Sequence, residues 1–127
     1  MAANSAESLL SVLRPCRILS TGIHLPPAVD SATIEKAHGL PEGWSLKHSG
    51  VSVRHQVITE NVADLGAKAG QHALDNAGLS LSDIDVLITA GGSFDQIIPS
   101  QAALTLALMP GGEDARCEAF HINTTCL

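Results

Sequence analysis

Apolar residues change their spacing from one segment of the chain to the next, and those changes mark out elements. Val62, Leu65, Ala69, Ala73 and Ala77 recur every three or four residues, which predicts one amphipathic helix. Asn61 stands at its N-cap position and Gly78 at its C-terminal stop. Ala69, Gly70 and Ala73 keep the stripe thin, so the helix is expected to lie close to its neighbour. The run Val86–Ala90 is short and almost wholly apolar, the pattern of a strand buried on both faces. Residues 17–24, with Ile18, Leu19 and Ile23, predict an earlier strand that Pro26-Pro27 ends. Residues 117–123, with Ala119, Phe120 and Ile122, predict a last one. Asp30 or Ser31 is placed to cap a short helix through Ala37, with Gly39 as its stop. Pro99 is expected as the first residue of a helix through Ala102, Leu104 and Leu108, broken by Pro110-Gly111-Gly112.

Strand, helix, strand, helix, strand, with the later strands apolar, points to an α/β fold with a mainly parallel sheet and packed helices. A chain of 127 residues is long enough for one such domain and too short for two ordinary ones. Residues 1–16 read as a polar, small-residue leader and 17–127 as the domain. A helix is expected after the strand at 117–123, yet only four residues follow it, so the domain reads as truncated.

Composition narrows the function classes. Aromatics are limited to Trp44, Phe94 and Phe120, so the core must be built from Ala, Leu, Ile and Val, which favours helices lying tightly on a sheet. The formal net charge of −6, from 7 basic and 13 acidic residues, repels phosphate backbones and argues against nucleic-acid binding. No apolar run approaches the ~20 residues of a membrane span. The start has no basic region followed by an apolar stretch, so the cytoplasm is the expected location. Three cysteines without a CxxC pair, and six histidines without an HExxH arrangement, predict neither a zinc site nor a disulfide framework. Gly91-Gly92-Ser93 lacks the companions of a phosphate loop and reads as a tight turn, while Asp83 and Asp85 read as solvated caps.

Cys126 is the residue with the most chemistry. A cysteine just past a buried strand, where a helix should begin, meets unpaired N–H groups whose partial positive charge favours the thiolate. Its own N–H would help to hold an oxyanion. The competing reading is a small buried hydrophobe, and position alone leaves both open.

The segment Phe120-His121-Ile122-Asn123-Thr124-Thr125-Cys126-Leu127 resembles the nucleophile region of the β-ketoacyl-acyl-carrier-protein synthase III family of thiolase-like condensing enzymes. Three further blocks resemble that family in the right order. They are Gly22 with Leu25-Pro26; Trp44 with Ser49-Gly50-Val51 and Arg54-His55; and 83–88 followed by Ile98-Pro99-Ser100. The resemblance covers 17–127 and implies the N-terminal half of a thiolase-like layered α/β/α/β/α fold. It implies that Cys126 is the nucleophile, taking an acyl group from a coenzyme A thioester and passing it to a malonyl thioester by decarboxylative condensation. Coenzyme A is then a substrate, and neither a permanently bound cofactor nor a metal is expected. The family's catalytic histidine and asparagine belong to the C-terminal half, so the isolated chain is expected to be inactive. An acyl carrier protein, a second copy of the intact protein, or the C-terminal half as a separate chain are the partners implied.

The resemblance also implies that Trp44 stacks on the coenzyme A adenine, with a core plug as the alternative. His48 stands where many members carry an arginine at the adenine's other side, and grips a nucleotide less firmly than guanidinium. Ile98 stands where many relatives have a phenylalanine that closes the acyl pocket, so a longer or branched primer is expected. His121 replaces the usual aspartate of the nucleophile strand. Head-to-head condensation of long acyl chains, acyl transfer to oxygen, and a non-catalytic α/β assembly module are the alternatives.

Overall fold

The computed structural model describes residues 16–123. Residues 1–15, all but the last residue of the leader at 1–16, and residues 124–127, with Cys126, therefore lie outside the described residues.

The described chain has two small sheets. β1 (Ala28–Asp30) pairs antiparallel with β2 (Val53–His55), with Val29 opposite Arg54. Between them lie α1 (Ser31–Ala37) and α2 (Trp44–Ser49). α3 (Val62–Ala77) follows, then β3 (Val86–Ala90), α4 (Gln101–Leu108) and β4 (Glu118–Ile122). β3 and β4 run parallel, in register from Val86 opposite Glu118 to Ala90 opposite Ile122, with α4 as the crossover. That crossover is the unit expected from the alternation of the later segments.

α3 forms over the span its periodicity predicts. Asn61 accepts the Asp64 N–H at 2.9 Å, and Asp64 returns the bond to the Asn61 N–H, which closes a capping box. Gly78 then ends the helix at φ 67°, a left-handed conformation that suits glycine. The packing differs from the predicted stripe. Ala63, Ala67 and Leu74 form the buried face, while Val62, Leu65, Ala69, Ala73 and Ala77 are half-buried. The helix has two neighbours, and so two faces. Gly66 meets Thr105 of α4 and Gly70 meets Met109, the C-cap of that helix, whereas Ala69 and Ala73 lie under Gly22. The core gathers Ala67, Leu74, Leu81 and Met109, with Leu87 and Leu106 packed against it.

Three expectations need correction. Residues 17–24 form no strand among the described residues, because their backbone meets α3 side chains instead of another strand. Asn76 Nδ2 donates to the Thr21 carbonyl at 2.9 Å, and the Ile23 N–H donates to His72 Nδ1 at 3.2 Å. Second, β3 is not buried on both faces. Leu87 and Thr89 face α4, but Val86 and Ile88 are 44% and 55% exposed, since the helices pack on one side only. Third, Pro99 precedes α4. Ser100 is the N-cap, its side chain accepting the Ala103 N–H at 3.3 Å, and Gln101 is the first helical residue. The short strands β1 and β2 and helix α2 gave no periodic signal, being only three, three and six residues long.

Candidate active site

Ligands of open α/β sheets bind beyond the carboxyl ends of parallel strands. Here that end is formed by Ala90 and Ile122, with the ladder extended by the Gly91 N–H donating to the Ile122 carbonyl at 3.2 Å. A cavity of about 270 Å³ opens there, lined by Phe94, Ile97, Ser100, His121 and Asn123. Cys126 follows Asn123 by three residues, outside the described part. A larger cleft of about 420 Å³ lies at the opposite ends of the strands, beside Ser80, Asp85 and Arg116.

His121 forms part of the cavity wall. Its Nδ1 lies 2.9 Å from the Thr89 hydroxyl, a pairing across the parallel strands that holds the ring's orientation. Phe94 meets the ring edge-on, with centroids 6.3 Å apart. His121 Nε2 and Thr105 Oγ1 are buried with no hydrogen-bond partner, and both residues line a second cavity of about 460 Å³ between α3, α4 and β3. His121 thus places an aromatic, two-nitrogen group between Thr89 and Phe94.

The loop from Gly91 to Ser100 carries the residues above the cavity. Asp95 anchors it: its carboxylate accepts the Val62 and Ala63 N–H groups at 2.9 and 2.8 Å, at the start of α3. The Gln101 side-chain amide donates to the same carboxylate at 3.0 Å, and its oxygen accepts the Asp95 N–H at 2.8 Å. Burial raises the Asp95 pKa, while the Gln101 amide and the two helix N–H groups lower it, and the net shift is downward. Asp95 was missed from the sequence because the two helix N–H groups it accepts lie more than thirty residues back along the chain. Ile98, two residues short of α4's N-cap, is 84% exposed, and Ile97 is 80% exposed.

Trp44 and His48 stand together, one turn apart on α2. Their rings stack at 4.4 Å with planes 24° apart, and His48 Nδ1 lies 2.8 Å from the Trp44 carbonyl. No slot for a flat base separates them, so a base would stack on the outer face of Trp44 or displace His48. Trp44 is 40% exposed, and neither ring lines the cavity at the strand ends. Buried Glu35 of α1 positions this helix, accepting the Gly43 N–H at 2.9 Å and the Ser45 N–H at 2.6 Å. The Ser45 amide is the main reason that the Glu35 carboxyl titrates below its usual range; burial opposes it, and the Ser45 hydroxyl and Gly43 amide add to it. Among the described residues, no three His, Cys, Asp or Glu side chains gather as a metal site would require. No helix among them is long and apolar enough to cross a membrane.

No protein-family model matches the chain. Curated relatives do. The chain is 32% identical over 111 residues to a β-ketoacyl-[acyl-carrier-protein] synthase III of Vesicomyosocius okutanii, covering 87% of this chain and 34% of the relative. It is 35% identical over 111 residues to the Clostridium tetani protein of the same name, covering 87% and 32%. Among solved structures, the 3-oxoacyl-[acyl-carrier-protein] synthase III of Aquifex aeolicus superposes with a TM-score of 0.75 at 26% identity, over 85% of this chain and 34% of that one. The chain thus spans about a third of the length of the relatives it matches. The parallel β3–α4–β4 unit, the ordered sequence blocks and these relatives agree: along 87% of its length the chain is homologous to about a third of the β-ketoacyl-[acyl-carrier-protein] synthase III proteins, and it shares their thiolase-like α/β fold.

Proposed function

We propose that this chain is the nucleophile-bearing part of a condensing acyltransferase of fatty-acid or polyketide type. The observation that supports it most is the cavity at the carboxyl ends of β3 and β4, reached by the strand that leads to Cys126. In this reading the Cys126 thiolate attacks the carbonyl carbon of an acyl coenzyme A. The carbon–sulfur bond to coenzyme A breaks, and the coenzyme leaves as its thiolate, which takes a proton from water. A malonyl thioester then loses carbon dioxide, and its enolate carbon attacks the acyl-cysteine. The products are a 3-oxoacyl thioester and a freed Cys126 thiolate. Trp44, with His48 against it, receives the adenine, and Ile98 borders the acyl pocket. A histidine and an asparagine that assist the second step come from outside this chain. The intact protein acts as a homodimer in the cytoplasm, with coenzyme A as substrate and no resident cofactor.

The test is intact-mass analysis of the full-length protein after incubation with a panel of acyl coenzyme A thioesters. The expected result is one acyl group on Cys126, lost in Cys126→Ala, and a 3-oxoacyl product once a malonyl thioester is added. No adduct with any member of the panel would overturn the reading. Product formed from two long acyl chains without malonyl would replace it with head-to-head condensation.

A further inference from the structure

Residues Ile97 and Ile98 project from the β3–α4 loop at 80% and 84% exposure, with little packing of their own to hold them. A loop tip of that kind keeps a defined position only if its base is tied down. Asp95, two and three residues before them, is the tie. Its Oδ1 accepts the Val62 N–H, and its Oδ2 accepts both the Ala63 N–H and the Gln101 amide, while its own N–H donates to Gln101. Both anchors are firm. Gln101 is 3% exposed at the start of α4, and the first turn of α3 is already closed by Asn61 and Asp64. One carboxylate therefore joins two helix starts across the loop, where the positive end of the α3 dipole also favours its charge.

We propose that Asp95 is a positioning residue that sets the place of the Ile97–Ile98 tip and, through it, the choice of acyl chain. The second part rests on the condensing reading above, in which Ile98 borders the acyl pocket. The chemistry requires a carboxylate and not merely its shape. An asparagine in the same place has one acceptor oxygen, so its NH2 group would face a helix N–H where Asp95 accepts a bond. The Asp95→Asn side chain must then release part of the clamp, and small shifts at a pocket wall are enough to redistribute substrate preference.

The experiment compares the full-length protein with its D95N and S80A variants. S80A removes a cap of the same kind from the short turn at Leu81–Asp83, beside the cleft at the opposite ends of the strands, and touches neither Asp95 nor its anchors. Each protein is assayed for kcat/KM across acyl coenzyme A thioesters of increasing length, and methyl relaxation of Ile97 and Ile98 is measured alongside. In D95N the ratio of long-chain to short-chain kcat/KM should shift by about tenfold, the size of a one-methylene discrimination. The methyl order parameters should fall as well. S80A should change neither. An unchanged ratio in D95N, or an equal shift in S80A, overturns the selectivity role; unchanged order parameters overturn the clamp. A parent protein that is never acylated on Cys126 overturns the condensing reading instead, and the relaxation data then decide the clamp alone.

Discussion

A Cβ added to Gly22 would lie 2.9 Å from the Ala73 Cα, and closer still to the Ala73 nitrogen and the Ala69 carbonyl oxygen. The segment before β1 therefore rests backbone on backbone against α3. Those atoms belong to a helix and cannot turn aside as a flexible side chain would. Gly22→Ala should destabilise the protein by about 3 kcal/mol, the upper part of the overpacking range. Urea denaturation of the two proteins measures it, and a loss below about 0.5 kcal/mol, the level of an ordinary surface change, would refute the contact.

Two glycines on the other side of α3 separate helix propensity from packing. Alanine in place of glycine in a helix interior favours the helix by up to about 1 kcal/mol. At Gly70 the new methyl would meet Met109 Cε at 3.3 Å, a flexible end that can move. At Gly66 it would meet Thr105 Cγ2 and Oγ1 at 3.2 Å, and a β-branched side chain has less freedom to yield. Gly70→Ala should be neutral or stabilising, and Gly66→Ala less stable than it by about 1 kcal/mol, the lower part of the overpacking range. Thermal melts of the pair test the ranking, and the reverse order would contradict this account of the α3–α4 contact.

Acid should loosen α2 through Glu35. Its folded-state pKa is depressed, chiefly by the Ser45 amide, so the unfolded chain binds the proton more readily. Stability from this group is present above the usual carboxylate range and is lost as pH falls through about 4 and below. Trp44 is the one tryptophan and lies between the two residues whose N–H groups Glu35 holds, so its emission reports the change. A Glu35→Gln variant should show less pH dependence of that emission. An identical acid response in both proteins would remove Glu35 from the explanation.

His48→Ala should uncover one face of Trp44. The stacked pair contributes about 0.5 kcal/mol, the low end for aromatic pairs, because both rings are reached by water. The larger effect is on access: acrylamide quenching of the Trp44 emission should rise. With coenzyme A present, the variant should also quench more strongly if displacement of His48 opposes adenine stacking in the parent. Equal quenching in the two proteins would mean that the stack does not persist in solution.

The elements most legible in the sequence were those that carry their own signals. α3 shows a period, an N-cap at Asn61 and a glycine stop, and all three act locally, so helix and prediction coincide at Val62–Ala77. β3 and β4 were legible as short apolar runs, and the helix between them implied their parallel pairing. The candidate site was legible in a different way. Cys126 and Trp44 stood out as residue types with chemistry, yet their roles came from resemblance to a family and not from spacing.

What a strand-like pattern does not contain is its partner. Ile18, Leu19 and Ile23 give an apolar segment that suits a strand, but whether their backbone joins a sheet depends on another chain segment lying beside it. In this structure the α3 side chains of His72 and Asn76 occupy that backbone. Asp95 and Glu35 were silent for the same reason. Each is an ordinary carboxylate until the fold brings amide groups from thirty-three and ten residues away onto its oxygens. The sequence by itself determined local helix, local strand and the order of family-like blocks, because those depend on neighbours along the chain. Tertiary structure alone decided which backbone pairs, which face of β3 stays open and what holds the Ile97–Ile98 tip, because hydrogen bonds and burial depend on neighbours in space.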